Sequence, residues 1–294
     1  MRISNRSTHD RLLQHIQQAT TRLNETQERV ASGRKINRPS DDPFATARAL
    51  ASRSKLDTVS QRIRTVDLAT TELSAVESSL TSLGNVITRA QELAVQADSA
   101  GVNGDARQQI ATEVEQLLNE VLSIANTSYS GRRIFGGHQG GAPFAPDLPA
   151  NPTAFNYSGD SGQVLREIGD GETIAVNIDG EPLFDGIFAS LIAFRDGLVA
   201  NDRTAINFAS GDIGREIDTV LTARGEVGSR MRRLEMTADR LGEEELALRT
   251  SISGLEEVDL TQEVVELQMR DTAFQASLSA TARSLGTSLL DFLR

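Results

Sequence analysis

Helix-breaking residues are crowded into one stretch of this 294-residue chain, and that crowding limits what the chain can fold into. Five of the seven prolines and eleven of the 23 glycines lie between Gly131 and Gly186, whereas residues 44–142 and 183–294 hold no proline. A proline inside a helix removes a hydrogen bond and collides with the preceding turn. Long helices are therefore expected on both sides of the stretch and not within it. Aromatic residues make up only 4% of the chain and Trp is absent, which suits seams filled by aliphatic side chains better than the core of a compact enzyme.

Hydrophobic spacing agrees. Leu12, Ile16, Ala19, Leu23, Thr26 and Val30 follow alternating steps of four and three, the rhythm of a helix seam. The spacing predicts a helix ending near Ser32 and Gly33, since glycine suits the left-handed position beyond a helix end. Asp42, held extended by the proline after it, can cap a new helix whose first residue is Pro43. Val59, Val66, Leu73, Leu80, Ile87 and Ala94 then recur one heptad apart, predicting a helix over 44 to about 98 that is roughly 80 Å long. After a turn at residues 101–105, Ile110, Val114, Leu117, Val121 and Leu122 form the stripe of a shorter returning helix. Val227, Met231, Leu234, Ala238, Leu241, Leu248, Ile252 and Leu255 restore the rhythm late in the chain, interrupted only by Glu245. A break near residues 257–261 precedes a last helix carrying Leu260, Val264, Leu267, Phe274, Leu278, Leu285, Leu289 and Phe292.

Between Ser130 and Gly186 the helical period vanishes, and short runs at 154–157, 163–168 and 172–178 alternate with Gly and Asp, as in antiparallel hairpins. The expected fold is mainly α, a long antiparallel coiled-coil bundle built from both chain halves with a small inserted antiparallel β domain. Its expected divisions are a terminal helical pair (1–40 with 260–294), a rod (41–130 with 187–259) and a β-rich unit (131–186).

The chain offers little chemistry. Without cysteine there is no disulfide, thiolate zinc site or cysteine nucleophile. His9, His15 and His138 have no partner at metal-binding spacing. Asp41 and Asp42 adjoin prolines at a helix start, where carboxylates cap free amides. No phosphate-binding loop, hydrolase elbow or zincin pair occurs. No catalytic residue, metal or cofactor is expected, and the reading is of a mechanical protein. A net charge of −11 disfavours nucleic acid, and no stretch is apolar for long enough to cross a membrane. The N-terminus lacks the apolar run of a cleaved signal, so export would need a route that reads an uncleaved segment.

Each terminal helix has few large apolar residues for its length, and burial of each contributes about 1.5–3 kcal/mol against the entropy of ordering the whole helix. Both ends should order fully only when neighbouring copies cover them. Residues 1–40 carry eight Lys or Arg against three acids, and 235–266 carry ten acids against two Arg. Antiparallel pairing of the ends would set Arg29, Arg34, Lys35 and Arg38 beside Glu256, Glu257, Asp259, Glu263 and Glu266.

Specific residues add a resemblance. Ala31-Ser32-Gly33-Arg34-Lys35-Ile36-Asn37-Arg38-Pro39-Ser40-Asp41-Asp42-Pro43 resembles the junction between the first two helices of the bacterial flagellin family, hook-associated members included. The junction motif comprises Gly33, Ile36, Asn37, Pro39, Ser40, Asp41, Asp42 and Pro43, and its Pro-Ser-Asp-Asp-Pro ending resembles members that join hook to filament. Ser130 to Gly137, Tyr157 to Asp160, the rod motif Val227, Gly228, Arg230, Leu234 and Glu235, and Ser288 to Leu293 are similar too. Arg132 and Arg133 depart from the family, standing where an aromatic-rich stretch is expected. The resemblance implies a secreted, extracellular flagellar subunit, exported unfolded by a type III apparatus. Implied partners are copies of itself, a junction protein on the hook side, flagellin on the filament side and a cytoplasmic chaperone on the C-terminal helix. Filament flagellin is the alternative. A signalling coiled coil would share the heptads but should lack the Pro/Gly-rich insert.

Overall fold

A computed structural model describes the backbone of residues 2–99 and 101–292, with side chains over 10–99 and 101–282. The element order is α1 (Arg2–Ser32), α2 (Pro43–Asp98), α3 (Gly104–Ala125), β1 (Ser128–Tyr129), β2 (Arg132–Arg133), β3 (Phe144–Pro146), β4 (Phe155–Tyr157), β5 (Leu165–Gly169), β6 (Glu172–Ala175), α4 (Glu181–Val199), α5 (Arg203–Glu256) and α6 (Leu260–Phe292). The strands form three antiparallel pairs, β1 with β2, β3 with β4 and β5 with β6. This is the mainly α fold with a small β insert that the distribution of helix breakers predicts. Among the described residues no helix is long and apolar enough to cross a membrane.

The chain forms two compact units, Met1–Val59 with Glu244–Arg294, and Ser60–Glu243. The second holds the main core. Along α2, Val66, Leu73, Leu80, Ile87 and Ala94 are buried at heptad spacing, and along α5 so are Ile206, Ile213, Val220, Val227 and Leu234. Three polar ties fix these helices antiparallel in one register: Arg203 Nε to Asp98 Oδ1 at 2.7 Å, Gln91 Nε2 to Ser210 Oγ at 3.3 Å, and Arg224 Nη2 to Glu77 Oε1 at 2.7 Å. The first holds the Asp98 carboxyl below the usual carboxylate range, the Arg203 hydrogen bond being the main cause. Helix α3 is capped by Asn103, whose Oδ1 accepts from Ala106 N at 2.9 Å; it packs on α4, and its Ile110, Val114, Leu117 and Val121 are buried.

Helix α4 takes in the last residues of the stretch that the sequence marks as β-rich. Pro182 sits in its first turn, where a missing N–H costs nothing. Phe184 and Phe188 on this helix meet Phe135, Phe144 and Phe155 from the hairpins, with ring centroids 4.0–5.5 Å apart. A scarce set of aromatic rings is thus spent on joining the β pairs to the helices.

A carboxylate fastens the hairpins from the other side. Glu72 on α2, its side chain only 8% exposed, accepts from Arg166 of β5 at 2.7 and 3.1 Å and from Arg132 of β2 at 3.2 Å. Arg132, one of the two arginines that depart from the aromatic pattern, is therefore one arm of an ion-pair network. The chain's net charge of −11 lies wholly within Ser60–Glu243, because the other unit has 15 acids and 15 bases.

Candidate assembly interface

The terminal unit pairs α1 with α6 in antiparallel fashion. Helix α1 stops where Gly33 takes a φ of +67° and returns its N–H to Arg29 O at 2.9 Å. A side chain would be strained there. The chain then runs beside the break between α5 and α6: Lys35 N donates to Glu256 O at 2.6 Å and Val258 N to Gly33 O at 3.1 Å. These bonds set the start of α6 against the end of α1.

The following loop is tied by its two aspartates. Asp41 Oδ2 accepts from Asn37 N at 3.1 Å and Arg38 N at 2.8 Å. Asp42 Oδ1 accepts from Ala45 N at 2.9 Å, capping α2 with Pro43 as its first residue. Ile36 and Asn37 are half-buried, while Pro39 and Ser40 are exposed.

On α1, Leu23 is buried, and Leu12, Ile16 and Val30 are half-buried, all along one stripe. On α6, Leu267 and Phe274 are half-buried in a stripe otherwise made of Glu263, Arg270, Ser277 and Thr281. Leu260, Val264 and Leu278 lie 51, 40 and 42% exposed. Leu285, Leu289 and Phe292 fall outside the described side chains, as does His9. Across the pair Arg29 Nε meets Glu263 Oε1 at 2.5 Å. The remaining charges are distributed differently from the simple acid-against-base picture: Arg38 pairs with Glu28, Arg53 with Glu256, and Arg270 with Glu266. Arg34 and Lys35 join the other segment through their backbones. Arg29, Lys35 and Arg38 line a polar cavity of about 860 Å³ with Glu28, Asp259 and Glu263.

Burial in this unit is sparse. Among its described residues only Leu23, Ala49 and Val59 are buried apolar side chains, against nine large apolar side chains left exposed. Phe44, Leu50, Leu246, Val265 and Met269 are among the exposed ones, and the seam reading omitted them. The Val264-Val265 pair was the available signal, since adjacent helix positions cannot both face one partner. The rod motif has a separate, local role. Val227 and Leu234 are buried, Gly228 and Glu235 lie beside them on α5, and Arg230 donates to Ala175 O at 3.1 Å and Asn177 O at 2.8 Å.

Among the described residues no group of three His, Cys, Asp or Glu could hold a metal ion. Residues 3–140 match the bacterial flagellin N-terminal helical region, and residues 211–293 match the C-terminal helical region. The chain belongs to the flagellin family. This flagellin-family chain is 26% identical over 291 residues to flagellar hook-associated protein 3 of Escherichia coli strain K12, covering 89% of this chain and 90% of the relative. With flagellar hook-associated protein 3 of Salmonella typhimurium it shares 25% identity over the full length of both. The crystal structure of Bacillus cereus FlgL superposes with a TM-score of 0.62 at 26% identity, covering 69% of this chain and 99% of that one.

Proposed function

We propose that this chain is a structural subunit of the bacterial flagellum that joins hook to filament, packing through its terminal helices. The observation that carries the packing mechanism is the contrast in burial: a terminal unit whose described residues bury three apolar side chains and leave nine large ones exposed has a surface to be completed by neighbours. The exposed Leu260, Val264 and Leu278 extend the adhesive seam of α6 beyond its contact with α1, and a head-to-tail interface of this kind yields an open helical tube. In this reading residues 1–40 with 260–294 make the polymer contacts, 41–130 with 187–259 form the rod, and 131–186 form the outer β unit.

The partners are then copies of itself, a junction protein on the hook side, flagellin on the filament side and an export chaperone on the C-terminal helix. The protein works outside the cell after type III export. Deleting residues 260–294 should release filaments into the medium while hooks stay intact, and a deletion strain with normally attached filaments refutes the proposal. Because the matching helical regions are those of flagellins, filament flagellin is the second reading, and long filaments grown by the purified chain from a seed would favour it.

A further inference from the structure

A cleft of about 550 Å³ opens at the free end of the β5–β6 hairpin, against α4 and the middle of α5. That volume is within the range of a specific binding pocket. Ile178, Pro182, Leu183 and Ala223 give its lining apolar surface, and Asp179, Asp218 and Glu226 are the acids of that lining. Arg230, the cation among the lining residues, is already committed to Glu226 and to the carbonyls of Ala175 and Asn177. Neither Asp179 nor Asp218 has an ion-pair partner among the described residues. The walls are held in shape by the side chain of Asn177, which accepts from Val164 N and donates to Gly162 O, both at 2.8 Å.

A surface with the opposite properties occurs elsewhere on the chain. Residues 34–55 contain six Lys or Arg against Asp41 and Asp42, a net charge of +4. Within them, Phe44, Arg48, Ala51 and Lys55 follow steps of four, three and four along α2, so they share one helix face. All four are exposed, Phe44 by 87%, and neither Arg48 nor Lys55 has an ion pair among the described residues.

We propose that the acidic, partly apolar cleft of one copy receives the Phe44–Arg48–Lys55 face of a second copy. The aromatic ring covers Ile178, Pro182 and Ala223, and the two cations meet Asp179 and Asp218. This is helix-in-groove recognition with anchors at i, i+4 and i+11, and charge complementarity sets the orientation. It also supplies an attractive contact to a unit whose net charge otherwise repels another like it. The inference rests on the reading of the chain as a polymerising subunit and names one contact within that polymer.

The absence of native cysteine makes the contact testable in the full chain. In cells expressing A51C/T222C, mild oxidation of sheared flagella should give disulfide-linked dimers and higher multimers, and A51C/T112C should not. Attached filaments with no A51C/T222C multimers would overturn this contact while leaving the junction role standing. Charge reversal provides the second measurement and decides the matter if the cysteine strain carries no filaments. R48E/K55E should shed filaments, and adding D179K/D218K should restore attachment. R48E/K55E cells with normally attached filaments, or no rescue by the second pair, overturn the proposal. Loss of attachment in the residue 260–294 test, by contrast, bears on the junction role alone.

Discussion

Replacing Glu72 with Gln would keep the shape of the side chain and remove the charge that gathers Arg132 and Arg166. Breaking a fully buried ion pair by removing one partner costs about 3–5 kcal/mol, because the other charge is left without compensation. Here the carboxylate is buried, but the side chains of Arg132 and Arg166 are 34 and 36% exposed, so water recovers part of the loss. Discounting for that exposure leaves roughly 1.5–3 kcal/mol. For a unit of this size each kcal/mol moves the thermal midpoint by about 2–4 °C, so Glu72→Gln should melt roughly 3–12 °C lower. Amide exchange should quicken at residues 132–133 and 165–169 before it does along α3. A cycle of E72Q, R166Q and the double variant should give a coupling of at least about 1 kcal/mol. A midpoint unchanged within about 1 °C, with unaltered exchange in both strands, would refute the idea that this carboxylate fastens the hairpins.

Three further expectations follow from the geometry. Phe184→Ala removes the ring that meets both Phe135 and Phe144, and thermal unfolding should show a loss of about 3–5 kcal/mol. Asp42→Ala removes the cap of α2, which should cost about 1 kcal/mol and speed amide exchange at Ala45 and Thr46. The Asp147 carboxyl is held down to about 2, chiefly by the Thr153 hydroxyl and then by the amides of Ala154, Thr153 and Leu148. Its folded value lies below the unfolded one, so its contribution is complete above the unfolded value and is lost as pH falls through about 2. Asp147→Asn should therefore loosen residues 147–154 at neutral pH, and the wild-type amides of Thr153 and Ala154 should show the same loosening only near the acid limit.

The helices were legible because their periods are long and regular. The run from Val66 to Ala94 is buried at each heptad step, and the α5 stripe from Val227 to Leu241 faces inward likewise. Gly33 could be placed at a helix end because few other residues tolerate a positive φ there. Helix α4 was harder to read. It is apolar on most of its faces, so no period stands out, and Pro182 reads as a breaker although at a first turn it is harmless. The aromatic cluster draws on segments far apart in sequence, and nothing local announces it. On α6, apolar residues fill neighbouring stripes, so step counting from Leu260 joins Val264 and Leu278 to Leu267 and Phe274, although only the latter two are half-buried in the isolated chain. The Glu72 network was invisible because a lone glutamate in a heptad helix looks like any solvated residue.

The lopsided placement of charge has a mechanical outcome. Terminal units with as many cations as anions can crowd together without net Coulomb opposition, whereas Ser60–Glu243 resists crowding by its own kind. That resistance reaches about 10 Å at 0.1 M ionic strength and shrinks as salt is added. Added salt should therefore ease close packing of Ser60–Glu243 against its own kind and leave the charge-balanced terminal units little changed.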